Sequence, residues 1–248
     1  MPSVSKYALR FQNRVNSFEE DIELVDIICT ARNKNKFLVE KGKLFKFIDE
    51  EKHPLLGARR AIGRNRTIVV NHLRGTVYSA YIKDIFEELT AYLKSLLYEA
   101  ALLSKEKSKA QRLLGEHKVN FSAADILLYQ SLDDLVMKIA EDIIQALESE
   151  RSTKTLITKI CNKIDLSVNK SKIEEALPYL ELRHKLVHTD GKADDDFISS
   201  YPMFTYDEKK YITLNYSVIL NAKEKITGLV LEMDEAAIQK GILSRNTP

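Results

Sequence analysis

Two long stretches with apolar residues at helical spacing constrain the fold of this chain most strongly. The first runs from about Thr67 to Ser104, and the second opens at Ser122 and reaches Leu147. In both, apolar residues recur every three or four positions, which is the spacing of one face of an α-helix. Two amphipathic helices of this length bury their stripes against each other, usually with axes about 20° apart. The sequence therefore predicts a mainly α protein built around a helical bundle. The stripe of the first helix comprises Tyr78, Ile82, Ile85, Leu89, Tyr92 and Leu96.

Shorter segments add to this bundle. Further helices are predicted over residues 17–33, 152–164, from Ser171 through Pro178 to about residue 188, and over 217–240. We expect Pro178 to kink or restart its helix, because proline removes a backbone donor.

Two short hairpins and a change of composition outline the domain organisation. Residues 36–46 are predicted to form one hairpin, and YPMFTY and YITLNY, which flank four polar residues at 207–210, predict another. Proline and glycine then appear in a basic loop that ends near Arg66. We therefore predict an N-terminal extension at 1–65, a helical domain at 66–241 and a tail at 242–248.

The charge balance limits how this chain could bind nucleic acid. Its 38 basic and 36 acidic residues give a net charge of +2, so the whole molecule exerts no strong field on a polyanion. Contact with nucleic acid would have to be local. A solvated charged surface is the alternative for any basic cluster. Because arginine forks suit phosphate, the candidate phosphate contacts are Arg59, Arg60, Arg64 and Arg66.

Hydropathy and cysteine usage indicate a cytoplasmic protein. No apolar run approaches the roughly 20 residues of a membrane span, and the first residues lack the apolar stretch of a signal peptide. No membrane contact is expected. Cys29 and Cys161 lie in apolar helical patterns far apart in the sequence, so we expect buried free thiols.

The segment LELRHKLVHTDGKAD, residues 180–194, carries more chemistry than packing requires. On a helical wheel, one apolar face includes Leu180, His184 and Val187, and this face is expected to point to the core. Arg183 and His188 flank it. Gly191 predicts that the helix ends just after His188. A second apolar patch comprises Tyr179, Leu182 and Leu186, so the helix is either central or also meets another subunit.

This segment resembles the signature of the HEPN superfamily. In that family an arginine is followed directly by a polar residue, usually asparagine with histidine or aspartate as variants, and four to six residues separate the arginine from a histidine. Arg183, His184 and His188 match this pattern. The helix around Phe86 and Glu87 also resembles the first helix of the family. The surrounding LRHKLVHTDG is similar to members from abortive-infection and toxin systems, and the resemblance covers roughly residues 66–240.

The resemblance implies a HEPN-like bundle and a metal-independent endoribonuclease with no cofactor. His188 would move protons, because histidine titrates near neutrality, and Arg183 would bind the phosphate. It also implies a homodimer in which a two-fold axis brings both copies of these residues into one cleft, with RNA as substrate and an antitoxin or defence protein as a further partner. His184 is expected to be buried and to orient the site. Glu87 is a candidate hydrogen-bond partner of Arg183 or His188, or a plain surface residue.

Three other interpretations of the motif stay open. Glu181, His184 and His188 have helical spacing for metal ligands, with Asp190 or the acidic residues at 194–196 as a fourth. Alternatively, Arg183 and His188 are ordinary helix-end residues, the histidine interacting with the helix dipole. The third alternative is a catalytically silent HEPN dimer that acts as an RNA-binding or protein-interaction module.

Overall fold

Helices make up most of the chain in the computed structural model, which describes residues 3–33, 65–103, 120–148 and 153–246. This confirms the prediction of a mainly α protein. No helix in the described ranges is long and apolar enough to cross a membrane. In chain order the described helices are α1 (Lys6–Asn33), α2 (Asn65–Leu103), α3 (Ala123–Leu128), α4 (Leu132–Glu148), α5 (Thr153–Lys163), α6 (Lys170–His188), α7 (Asp195–Ser200) and α8 (Tyr216–Gln239).

Helix α2 is the centre of the structure and contacts α1, α4, α6 and α8. Its bounds agree with the predicted helix from Thr67 to Ser104 to within two residues at either end. Every residue of the predicted stripe is buried, and none is more than 3% exposed. The periodicity of this stretch therefore predicted both the helix and the face that the helix buries.

The N-terminal helix begins earlier than the sequence predicted. We expected a start at Ser17, but α1 begins at Lys6, where the Ser5 hydroxyl accepts a hydrogen bond from the Ala8 amide at 3.2 Å. Serine is a favoured residue at such a position because its oxygen satisfies an amide that has no partner inside the helix. Phe11 and Val15 are buried in the same core as α2 and α8. Although α1 lies in the predicted extension, it thus contributes to the common core.

The second long helix of the prediction is two helices in the structure, so that prediction is wrong. Helix α3 ends at Leu128, and α4 starts at Leu132. The Ser131 hydroxyl accepts a hydrogen bond from the Asp134 amide at 3.1 Å, which favours a new helix start. Leu128 is 79% exposed, so the apolar stripe is not buried continuously across the break.

The predicted hairpin at 201–216 is not formed by strands among the residues that the structure describes. An isolated antiparallel bridge joins Tyr206 to Ile212, and the Thr213 amide donates to the Thr205 carbonyl at 2.8 Å. A second bridge joins Tyr211 to Lys192, just beyond α6. The turn thus supports the end of α6. The other predicted hairpin, at 36–46, lies outside the described residues.

Cys161 is a buried free thiol, as predicted. Burial raises the pKa of this thiol to about 11, because the thiolate loses its hydration. Cys29 lies in α1, and its side chain is outside the described part of the chain.

Candidate active site

The motif occupies the last two turns of α6, and local hydrogen bonds fix where this helix starts and stops. The start is capped by Asn169, whose side-chain oxygen accepts from the Ser171 amide at 3.0 Å. The helix includes Pro178 and does not restart there. At the other end, the Gly191 amide donates to the Lys185 carbonyl at 2.9 Å. Gly191 has φ +81°, a left-handed conformation that favours glycine, so the helix ends after His188 as predicted.

Burial along α6 corrects one part of the helical-wheel prediction. The face that was expected to point to the core is buried at Leu180, but His184 is exposed and Val187 is 42% exposed. The second apolar patch is instead covered as far as Leu186. Helices α2, α5 and α8 contact α6, and they cover one side of its last turns rather than both. The expectation of a buried His184 is therefore wrong, and the motif face opens to solvent in this chain.

Arg183 is half-buried and lies over an aromatic ring of α2. Its guanidinium carbon is 4.4 Å from the centre of the Phe86 ring, which is a cation–π distance. The Nε atom of Arg183 is buried and has no hydrogen-bond partner. Within the described ranges no carboxylate forms an ion pair with this guanidinium, so its charge is not neutralised by a neighbour there.

His184 and His188 lie one helical turn apart, and their imidazole rings are adjacent. The ring centres are 4.4 Å apart, with the planes tilted by 44°. Both side chains are exposed. The pKa of His184 is lowered, first by partial loss of hydration and then by electrostatic interaction with His188, Lys185 and Arg183. His184 therefore stays neutral to a lower pH than an isolated histidine does.

Glu87 does not pair with the motif in the described part of the molecule. Its side chain is exposed on α2, and no hydrogen bond or ion pair links it to Arg183 or His188. The adjacent Phe86 makes the contact instead. The sequence predicts Glu87 rather than Phe86 as the site residue, because a carboxylate is the more obvious partner of an arginine.

Most of the arginines predicted to contact phosphate lie outside the part of the chain that the structure describes. Arg59, Arg60 and Arg64 lie outside the described residues, and Arg66 belongs to the first turn of α2. Their contact with nucleic acid stays a prediction.

The residues of the alternative metal site do not form a ligand cluster. Among the described residues, no group of three His, Cys, Asp or Glu side chains is arranged to hold a metal ion. Glu181 is half-buried, and burial raises its pKa. Asp194 accepts a hydrogen bond from the Phe197 amide at 2.9 Å and pairs with Lys185. One of its oxygens therefore caps α7, and the other forms an ion pair with α6.

Comparisons with known proteins find no relative of this chain. Family models, curated proteins and solved structures give no match to this chain. The likeness to the HEPN superfamily therefore depends on the motif and on its place at the end of α6.

Replacement of His188 with glutamine is expected to raise the pKa of His184 toward its ordinary value. The substitution removes the electrostatic contribution of a ring whose centre is 4.4 Å away, while the contribution of burial to the pKa remains. An NMR titration of the His184 imidazole in both proteins measures the shift. His72→Gln, at an exposed histidine of α2, is the control and should leave this pKa unchanged. A His184 pKa that falls or stays constant in His188→Gln would contradict the coupling.

Proposed function

We propose that this chain is a metal-independent endoribonuclease of HEPN type, with Arg183 and His188 as its catalytic residues. The observation that carries the proposal is the grouping of an unneutralised guanidinium and two imidazoles at one helix end. The two rings are exposed, so a substrate can approach them. These groups suit phosphate chemistry, because the arginine fork binds phosphate oxygens and histidine transfers protons near neutral pH. The setting that we propose is a toxin–antitoxin or anti-phage defence system.

The reaction needs no metal because RNA carries its own nucleophile. The 2′-oxygen attacks the adjacent phosphorus and loses its proton to an imidazole, while the bond from phosphorus to the 5′-oxygen breaks. The departing 5′-oxygen takes a proton from a second imidazole. Arg183 binds the non-bridging oxygens, whose negative charge increases in the pentacoordinate state. The products are a 2′,3′-cyclic phosphate and a 5′-hydroxyl.

A homodimer would supply both proton-transfer groups on opposite sides of the phosphorus. One chain provides a single His188, and a two-fold axis beside the last turns of α6 would bring the second. Two features support such an axis. The face of α6 that carries both histidines is exposed in one chain, and Val187, an apolar residue beside them in the same turn, is 42% exposed. An isologous contact across this face would bury Val187 and set both motifs around one cleft.

Incubation of labelled RNA with the purified protein in EDTA tests the function. We expect the wild type to cleave and to leave 2′,3′-cyclic phosphate ends, whereas Arg183→Ala and His188→Ala should not cleave. A substrate with 2′-deoxyribose at the cleaved position should resist. His72→Ala, which removes an exposed histidine remote in sequence, is the matched control and should retain activity.

The results of this cleavage assay distinguish the alternative interpretations of the motif. Equal cleavage by wild type and both variants would remove Arg183 and His188 from the site. A wild type that binds RNA without cutting it, and binds less well as Arg183→Ala, would favour the silent RNA-binding module. Activity that appears only with added divalent metal would favour metal-dependent chemistry.

A further inference from the structure

The contact between Arg183 and Phe86 joins the motif helix to the central helix of the fold. Phe86 belongs to α2 and packs, partly buried, against the hydrophobic core. Its ring is therefore fixed by the scaffold rather than by the loop that follows α6. The guanidinium carbon of Arg183 lies 4.4 Å from the ring centre. A flexible side chain on α6 is thus placed against a rigid surface on another helix.

Three other arginines in the described chain are held differently. Arg14 pairs with Glu88 at 3.3 Å, Arg74 with Asp26 at 3.2 Å, and Arg245 with Glu235 at 2.8 Å. Arg14 also stacks on a ring, that of Phe18, with its guanidinium carbon 5.6 Å from the ring centre. In the described ranges Arg183 has a ring but no acid. The exposed Glu87 directly follows Phe86 and still does not pair with it.

We propose that Phe86 is a positioning residue, which holds the Arg183 guanidinium in place for an RNA phosphate without neutralising its charge. This inference rests on the proposed ribonuclease function. A carboxylate partner would also fix the arginine, but it would neutralise the charge and compete with phosphate for the same hydrogen-bond donors. An aromatic face attracts the cation through its quadrupole and leaves the terminal nitrogens free. The arginine is then oriented before the substrate arrives, which reduces the ordering required in the transition state.

The ring contact predicts a spectroscopic signature that does not depend on activity. Protons held over an aromatic face are shielded by its ring current, so the Arg183 Nε–H resonance of the wild type is expected upfield of ordinary arginine. Phe86→Leu should return this resonance to the ordinary position, because leucine has no ring current. Phe86→Tyr should keep it upfield. Equal resonances in wild type and Phe86→Leu would overturn the proposed contact.

The same substitutions are expected to separate kcat from KM in RNA cleavage measured in EDTA. Phe86→Leu should lower kcat by about tenfold, the rate equivalent of a partly desolvated cation–π contact. KM should change little, because the contact matters most where negative charge develops on the phosphate. Phe86→Tyr should restore kcat. Phe18→Leu is the matched control, since it removes a partly buried ring that stacks on an arginine outside the motif, and it should leave kcat unchanged.

Each outcome decides for or against the positioning role. A loss of kcat that is equal in Phe86→Leu and Phe18→Leu would show a general effect on the fold and overturn the proposal, as would a loss that tyrosine does not restore. If the wild type cleaves no RNA, the ribonuclease function fails and the catalytic part of the proposal with it. The Nε–H resonances would still report whether Phe86 holds Arg183, so the two failures are distinguishable.

Discussion

A dimer that combines one Arg183→Ala chain with one His188→Ala chain is expected to cleave RNA, although neither variant does so alone. Each homodimer lacks both copies of one catalytic group, and the loss of a proton-transfer residue costs about 10²- to 10⁴-fold in rate. The mixed dimer keeps one Arg183 guanidinium and one His188 imidazole. If both motifs line one cleft, these two groups still meet the same phosphate, and activity returns only in part, because water has to replace the missing imidazole in one of the two proton transfers. Co-expression with two different affinity tags isolates the mixed dimer, and its cleavage rate in EDTA is compared with that of each homodimer.

The control for this experiment is a dimer of wild type with the double variant Arg183→Ala, His188→Ala. It also keeps one guanidinium and one imidazole, but both belong to the same chain. Similar activity in the two mixed dimers indicates a shared cleft. Activity in the control alone would mean that each chain works by itself, and the two-fold arrangement would be wrong. Sedimentation of the tagged preparation establishes that the species is a dimer.

The fold was readable from the sequence where one apolar stripe faces one core. Helix α2 is the clearest case, because its apolar positions keep helical spacing over the whole length and neighbouring helices cover them. The break between α3 and α4 was not predicted, because the apolar spacing continues across it. The signal for the break is local, since the hydroxyl of Ser131 caps α4. Similarly, Ser5 caps the start of α1. Ser17 with Glu20 three residues later forms the more familiar capping-box pattern, which is why the start was predicted there.

The sequence predicted the residue types of the candidate site and its place at a helix end. It did not predict which side chains surround the site. A helix with two apolar sides does not reveal which side its neighbours cover, and for this reason His184 and Val187 were expected inside. The partner of Arg183 could not be predicted either, because spacing within α2 does not determine whether Phe86 or Glu87 meets another helix. Contacts between elements distant in the sequence depend on packing, and periodicity reports only the face of each element.

Replacement of Asp234 by alanine is expected to cost about 3 kcal/mol of unfolding free energy, since it leaves several buried donors without an acceptor. Asp234 lies in α8 and is 1% exposed. Its carboxylate accepts hydrogen bonds from the Ser5 amide at 2.8 Å, from the Ser5 hydroxyl at 2.5 Å and from the Tyr92 hydroxyl at 3.3 Å. One side chain thus links the start of α1, the central helix and α8. Urea denaturation followed by circular dichroism measures the change.

The neighbouring acid provides a matched control for this loss. Glu235 follows Asp234 in α8 and pairs with Arg245 at 2.8 Å, but this pair is partly exposed. Ion pairs near the surface contribute little to stability, because water screens both charges, so Glu235→Ala should destabilise the protein much less. Tyr92→Phe should also cost less than Asp234→Ala, because it removes a single long hydrogen bond. Comparable stability of Asp234→Ala and Glu235→Ala would mean that the buried carboxylate does not hold α1 to the core. In that case α1 would be held to the core by its apolar side chains, such as Phe11 and Val15, rather than by this carboxylate.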